Sequence, residues 1–350
     1  MPSAAPLVVL GEVSTCLLPS SIALNRDRAD ELLALMPGRA VSWRERPSTL
    51  AVSPTTAVGV DCDLMLDLSA TGKDSVGPDI PAPNPDRADA AEPIAVRIVG
   101  TVGTRVVLAG GRILQSSAHT QVARAGERRR QPWSHYLSRK GFTEVIDVVP
   151  PERATAGAAL AEGYLAEPPT DGDILDLASI SRRLLGRIRT DPRLDQSPPV
   201  QVGTTRLRWT ALVGGAAGPA VQLHLDDDAI RSVRLIVRKE SDLAAAQRFC
   251  EDLAAHDWLL TVVADALDQA DHFGTLSKDR LDILYPLLQY FTGLWMPGAH
   301  TPAALRALWR DLQSDPGFSR QWTTLRDRMR DSIAIATLHA MQHKDFDHEW

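Results

Sequence analysis

The first apolar run of the chain, Leu7 to Leu18, is rich in Val and Leu, is interrupted by Gly11-Glu12 and ends at Pro19; it predicts a buried strand. A helix is expected next. Asn25 can cap it, Asp27 favours its positive end, Leu32 and Leu35 supply an apolar edge, and Pro37-Gly38 stops it. Short strands are expected over residues 40–43, 49–52 and 57–61. From 70 to 93 the pattern dissolves into Pro, Asp, Ala and Gly, with Pro78, Pro81, Pro83, Pro85 and Pro93, which predicts a mobile insertion. Alternation returns over 94–100, 104–108, 112–116 and 120–124, punctuated by Gly100, Gly103 and Gly110-Gly111, as in an antiparallel meander. Residues 143–149 add one more strand, and 151–172, rich in Ala and Pro, read as a linker.

Beyond it, Leu177, Ile180, Leu184 and Ile188 recur at helical spacing before Asp191-Pro192. Three alternating runs follow, around Leu207-Trp209-Ala211, Val221-Leu223-Leu225 and Val233-Leu235-Val237, and predict a three-stranded meander. Helical stripes then take over. Ser241 is expected to cap a long helix carrying Leu253, His256, Leu260, Val263 and Leu267, and a second helix opens at Ser277 and kinks at Pro286. Thr301-Pro302 starts a third, and the last runs from about Ser319 with Trp322, Leu325, Met329, Ile333 and Ala336 on one side. The predicted fold class is α+β: a β-rich N-terminal half, an antiparallel meander with one or two helices, and a C-terminal half of a three-stranded meander plus a helical bundle. The expected division is a domain at 1–150, a linker at 151–172 and a second domain at 173–350.

Composition narrows the function classes. The 350 residues are 44% hydrophobic and 23% charged, an ordinary folded composition, and the net charge of -6 gives no global attraction to nucleic acid or an anionic membrane. Cys16, Cys62 and Cys250 form neither a disulfide framework nor a paired ligand motif, and Met1 to Leu10 lacks the features of an export leader, so a cytoplasmic location is expected. No P-loop, dinucleotide fingerprint or nucleophile elbow occurs, so no cofactor is expected and no nucleophile is nominated. The glycine pairs are read as hairpin turns.

Three clusters carry candidate chemistry. On an alternating strand Gln222, His224 and Asp226 share one face, with Asp227 and Asp228 at the strand end, so an imidazole and carboxylates lie together as candidate acid/base or cation ligands. The competing reading is a turn in which short aspartates bond their own backbone. Arg124, Arg128, Arg129, Arg130, Trp133, His135, Tyr136, Arg139 and Lys140 form a basic and aromatic segment: over 124–140, six positive charges against Glu127 leave +5. Such a segment suits phosphate, an acidic partner surface or, through stacking, nucleic acid; the alternative is a solvated loop beside a strand edge. His339 and His343, four apart on the last helix, are weak candidates for a metal, without the glutamate of a metalloprotease motif.

The strings Val9-Leu10-Gly11-Glu12-Val13 with Cys16, Gly103-Thr104 through Gly111-Arg112-Ile113-Leu114-Gln115, and Pro132-Trp133-Ser134-His135-Tyr136-Leu137 form a recognisable set. To them belong His224–Asp228, Leu294-Trp295-Met296-Pro297-Gly298 and Pro316-Gly317-Phe318-Ser319-Arg320-Gln321-Trp322. Together they resemble an uncharacterised actinobacterial family encoded in a conserved cluster beside a variant P-loop protein. The resemblance implies no activity; it implies a cytoplasmic protein with a nucleotide-binding partner. The expectation is therefore a non-catalytic component or adaptor of a multiprotein assembly, docking on a P-loop ATPase. The alternatives are a metal-assisted hydrolase or transferase of a phosphorylated small molecule built on His224 and Asp226, and nucleic-acid binding through 124–140.

Overall fold

A computed structural model describes residues 6–45, 55–62, 98–124, 142–145, 152–166, 176–214, 218–273, 278–295, 298 and 300–346. The insertion expected at 70–93, the strand expected at 49–52 and most of the basic segment lie outside the described residues. The fold is mixed α and β, and no described helix is long and apolar enough to cross a membrane.

β1 (Pro6–Leu17) is the centre of the molecule. All but its first residue are buried, because both faces are covered. It pairs antiparallel with β5 (Ile113–Arg124) on one side and with β7 (Thr205–Val213) on the other, so a single nine-stranded sheet joins the two expected domains. Along it the strands run β2 (Ser42–Arg44), β3 (Thr56–Cys62), β4 (Ile98–Ala109), β5, β1, β7, β9 (Ile230–Val237) and β8 (Ala220–Leu225), with β6 (Phe142–Val145) pairing the start of β4. The expected break at Gly11-Glu12 is absent. Gly11 continues the ladder, and its missing side chain admits the Trp209 ring: a Cβ there would stand 2.2 Å from Trp209 Cε2.

Three other expectations are corrected. The four short strands over 94–124 are two long ones joined at Gly110-Gly111, which hold φ of 58° and 66°, whereas Gly100 and Gly103 sit inside β4. The C-terminal strands are not a meander, since β9 inserts between β7 and β8 and runs parallel to β7. Within the expected linker, residues 153–165 form α2 (Arg153–Leu165), which packs against β1 and β7.

The even-numbered positions of β1 face α1 (Arg26–Leu33), α2 and α3 (Leu177–Arg189), where Val8, Leu10, Cys16 and Leu18 meet Ala156, Ala161, Leu177, Leu184 and Ile188. Asn25 Oδ1 accepts from the Arg28 amide and caps α1 as expected; Asp176 does the same for α3 through Ser179. The odd positions, Val9, Val13 and Leu17, face the C-terminal helices. Those are α4 (Glu240–Leu243), α5 (Ala246–Asp271), α6 (Lys278–Phe291, with Pro286 inside), α7 (Arg306–Ser314) and α8 (Phe318–Phe346). Ser241 therefore lies inside a short helix rather than capping the long one. The architecture is a sheet with helices on both faces, and α5 lies in the larger core: Phe249, Leu253, Trp258, Leu259, Val263 and Leu267 are all buried.

Candidate functional site

The β8–β9 hairpin closes on Asp226-Asp227-Asp228-Ala229. The Asp227 carboxylate accepts from the Ala229 and Ile230 amides at 2.7 and 2.6 Å, the local bonding that a tight aspartate turn provides. Leu223 and Leu225 point to the helical side of the sheet, so His224 and Asp226 stand on the other side. They share that face, as the alternation predicts, and the Ser232 hydroxyl donates to Asp226 Oδ1 at 3.1 Å. Both are exposed and no third ligand joins them: among the described residues no group of three or more His, Cys, Asp or Glu can hold a metal. His339 is half-buried on α8, and the His343 side chain lies outside the described residues.

Asp227 and Asp228 instead edge a groove of about 690 Å³ between the hairpin end, α5 and the first turns of α8. Its floor is apolar, with Leu223, Leu260, Ala264, Phe318 and Leu325, and its walls carry Asp227, Asp228, Asp257 and Asp265 against Arg231 and Arg320. Arg231 is consumed internally. Its guanidinium donates to the Asp257 carboxylate at 3.2 Å, to the Thr261 hydroxyl at 3.2 Å and to the Asp227 carbonyl. Burial pushes the Asp257 carboxyl up, and Arg231 opposes that shift. The Asp265 carboxyl is also raised, by burial first and then by the Asp228 and Asp268 charges beside it. Neither Asp228 nor Asp265 has a hydrogen-bond or ion-pair partner among the described residues, which leaves two facing carboxylates that repel one another. A second hollow of about 490 Å³ shares Asp265 and continues past it to Gln201, Asp282 and Leu287.

Neither Asp257 nor Asp265 was singled out in the sequence, and Arg320 entered only as part of the 316–322 string. A signal existed: Asp257, Thr261 and Asp265 recur at steps of four, which places them on one face of the helix.

A second polar assembly lies under the N-terminal half of α5. Glu251, buried, receives two bonds of 2.5 Å from Arg105 of β4, with Arg44 of β2 at 3.6 Å. Burial alone would raise the Glu251 carboxyl, but the two guanidinium groups hold it below the usual range. Burial pulls Arg44 down to about 10. Gln115 donates to the Glu251 carbonyl at 2.8 Å, and Gln247 donates to the Ser117 hydroxyl at 3.1 Å. A small, partly open hollow of about 20 Å³ adjoins them, lined by Thr56, Gln115, Asp252, His256 and His300, room for about one water molecule. His256 Nδ1 donates to the Asp252 carbonyl at 2.6 Å, so the expected core histidine is satisfied at one nitrogen, while Nε2 is buried without a partner. This assembly fastens α5 to the sheet.

The basic segment is represented by its anchor. Arg124 ends β5 opposite Ile98, at the end of the strands far from the aspartate turn, so the structure does not bring that anchor to His224–Asp228. Arg128, Arg129, Arg130, Trp133, His135, Tyr136 and Arg139 lie outside the described residues.

No family model, no curated protein and no solved structure matches this chain.

Proposed function

We propose that this chain is a non-catalytic binding component of a protein assembly, and that its binding site is the groove between the β8–β9 hairpin, α5 and α8, which takes a basic polypeptide segment. The observation that carries the reading is the pair Asp228 and Asp265. They face one groove over an apolar floor, and neither has a hydrogen-bond or ion-pair partner among the described residues, while Arg231, whose charge also acts on Asp265, makes its bonds to Asp257 and Thr261. A lysine or arginine entering the groove relieves their repulsion, and the apolar floor accepts the aliphatic stem or a neighbouring side chain. The groove volume lies in the range of ligand sites. A P-loop ATPase remains the proposed partner on the strength of the family resemblance, with the helical half as the docking surface and the cytoplasm as the location.

The test is titration of the full chain with a short oligoarginine peptide, by calorimetry, at low and high salt. Saturable binding that weakens with salt and falls at least tenfold in the Asp228→Asn/Asp265→Asn double variant supports the reading. Binding that is indifferent to the double variant, or no binding at low salt, removes it.

A further inference from the structure

The face of the sheet that carries α2 breaks its apolar pattern at β1, β7 and β9. Glu12, Arg208 and Ser232 stand side by side on one row across these strands, and Leu10, Thr210 and Arg234 stand on the next. Charged and hydroxylated side chains on neighbouring strands need partners there, and the chain answers only some of them. Arg206 Nε donates to Glu12 Oε1 at 2.9 Å, and Arg234 reaches Glu162 of α2. Three atoms beside them are left over: Glu12 Oε2, Thr210 Oγ1 and Arg234 Nε are buried without a hydrogen-bond partner among the described residues. Arg208 adds a fourth group with spare capacity. Its Nε stands 4.0 Å from Glu12 Oε2, beyond hydrogen-bond distance, and its contact with the Ala166 carbonyl is 3.5 Å long.

We propose that this recess is a binding site for a small phosphorylated and hydroxylated ligand, separate from the groove on the opposite face of the sheet. The spare donors and the spare acceptor set that chemistry. Arg208, Arg234 Nε and Thr210 offer hydrogens from three adjacent positions of the sheet, which strands about 4.8 Å apart bring within reach of one tetrahedral anion with three outer oxygens. Glu12 Oε2 accepts, so the ligand carries a hydroxyl next to its phosphate. Burial pushes the Glu12 carboxyl up while Arg206 and Arg208 oppose that shift, and a hydroxyl donated to the carboxylate works on their side. The Arg206, Arg208 and Arg234 side chains stay 22%, 13% and 22% exposed, so the recess opens to solvent and a small molecule enters without unpacking α2. On the open side the first row runs on from Ser232 to His224, which is exposed and leaves the rest of the ligand a place along the sheet.

The test is calorimetric titration of the full chain with glycerol 3-phosphate, in phosphate-free buffer at low salt and about pH 8, where the phosphate is dianionic. Glycerol and glycerate are the controls. Glycerol 3-phosphate is expected to bind saturably, and both controls about tenfold more weakly or less, since glycerol lacks the anion and glycerate lacks the third outer oxygen. Thr210→Val is the most telling variant, because the hydroxyl it removes makes no hydrogen bond among the described residues. Its melting temperature should hold or rise while affinity falls about threefold. Arg208→Ala should weaken binding about tenfold or more. The Asp228→Asn/Asp265→Asn variant should bind as the wild type does, which separates this site from the groove. Absence of glycerol 3-phosphate binding overturns the inference, and so does glycerate binding as tightly. Affinity unchanged in both Thr210→Val and Arg208→Ala also overturns it, and leaves ordered water as the filling of the recess.

Discussion

Arg105 reaches out of β4 and grips both carboxylate oxygens of Glu251 on α5 at 2.5 Å, with Arg44 standing 3.6 Å away. The two residues are 146 positions apart in sequence and tie β4, an interior strand, to the helix at the centre of the larger core. Removing the carboxylate leaves two shielded guanidinium groups uncompensated. Glu251→Ala should therefore destabilise the fold by about 3–5 kcal/mol, read from the shift of the urea midpoint. Replacing Arg105 and Glu251 together with apolar residues of similar size should recover much of that loss, because no orphaned charge remains.

His119 supplies the pH dependence. Burial and the neighbouring Arg105 charge hold its pKa down to about 4, from about 6.5 in an unfolded chain. The unfolded state thus takes up the proton first. The stability that this residue contributes is complete above about pH 6.5 and is lost as pH falls toward 4, a loss on the order of 3 kcal/mol. Unfolding curves of wild type and His119→Gln, measured from pH 7 to pH 4, should diverge at the top of that window and converge at its bottom. Parallel curves would contradict this assignment.

Gly11 is expected to tolerate no side chain. Its Cβ would overlap the Trp209 ring, which is fully buried and lies in the middle of the sheet's helical face. Gly11→Ala should cost about 1–3 kcal/mol, the usual penalty of overpacking. Adding Trp209→Leu should make the pair less damaging than the sum of the two single changes, and a double-mutant cycle measures the difference.

At the groove, Asp228→Asn should lower the Asp265 pKa by removing one of the charges that raises it. A carboxyl titration by NMR checks the direction. If Asp265 titrates unchanged, the two carboxylates do not face each other closely enough to hold a shared cation.

Much of this was legible along the chain, and the failures have identifiable causes. The apolar run at 7–18, the Asn25 cap, the stripe of α5 and the start of α8 were readable because local periodicity and caps decide them. The order of β7, β9 and β8 was not, because alternation reports which side chains share a face and says nothing about which strand lies next to which. Gln115, Ser117 and His119 form a polar row that reads as a solvent face. It is shielded instead because α5 meets it with Gln247 and the Glu251 carbonyl. At the groove, the Asp226–Asp228 turn was visible as a cluster, and its partner Asp265 was hidden inside a helix that looked purely structural.

The position of β1 bears on how the chain assembles. Val9 must find Ala211 on one side and Gln121 on the other, so the central strand waits for a partner some 200 residues later in the chain. During synthesis at about 5–20 residues per second, that wait lasts on the order of ten seconds or more. Over that interval a Val- and Leu-rich strand has one open edge that any extended neighbour can occupy. The growing polypeptide, rather than the finished fold, is the form of this protein most exposed to mispairing.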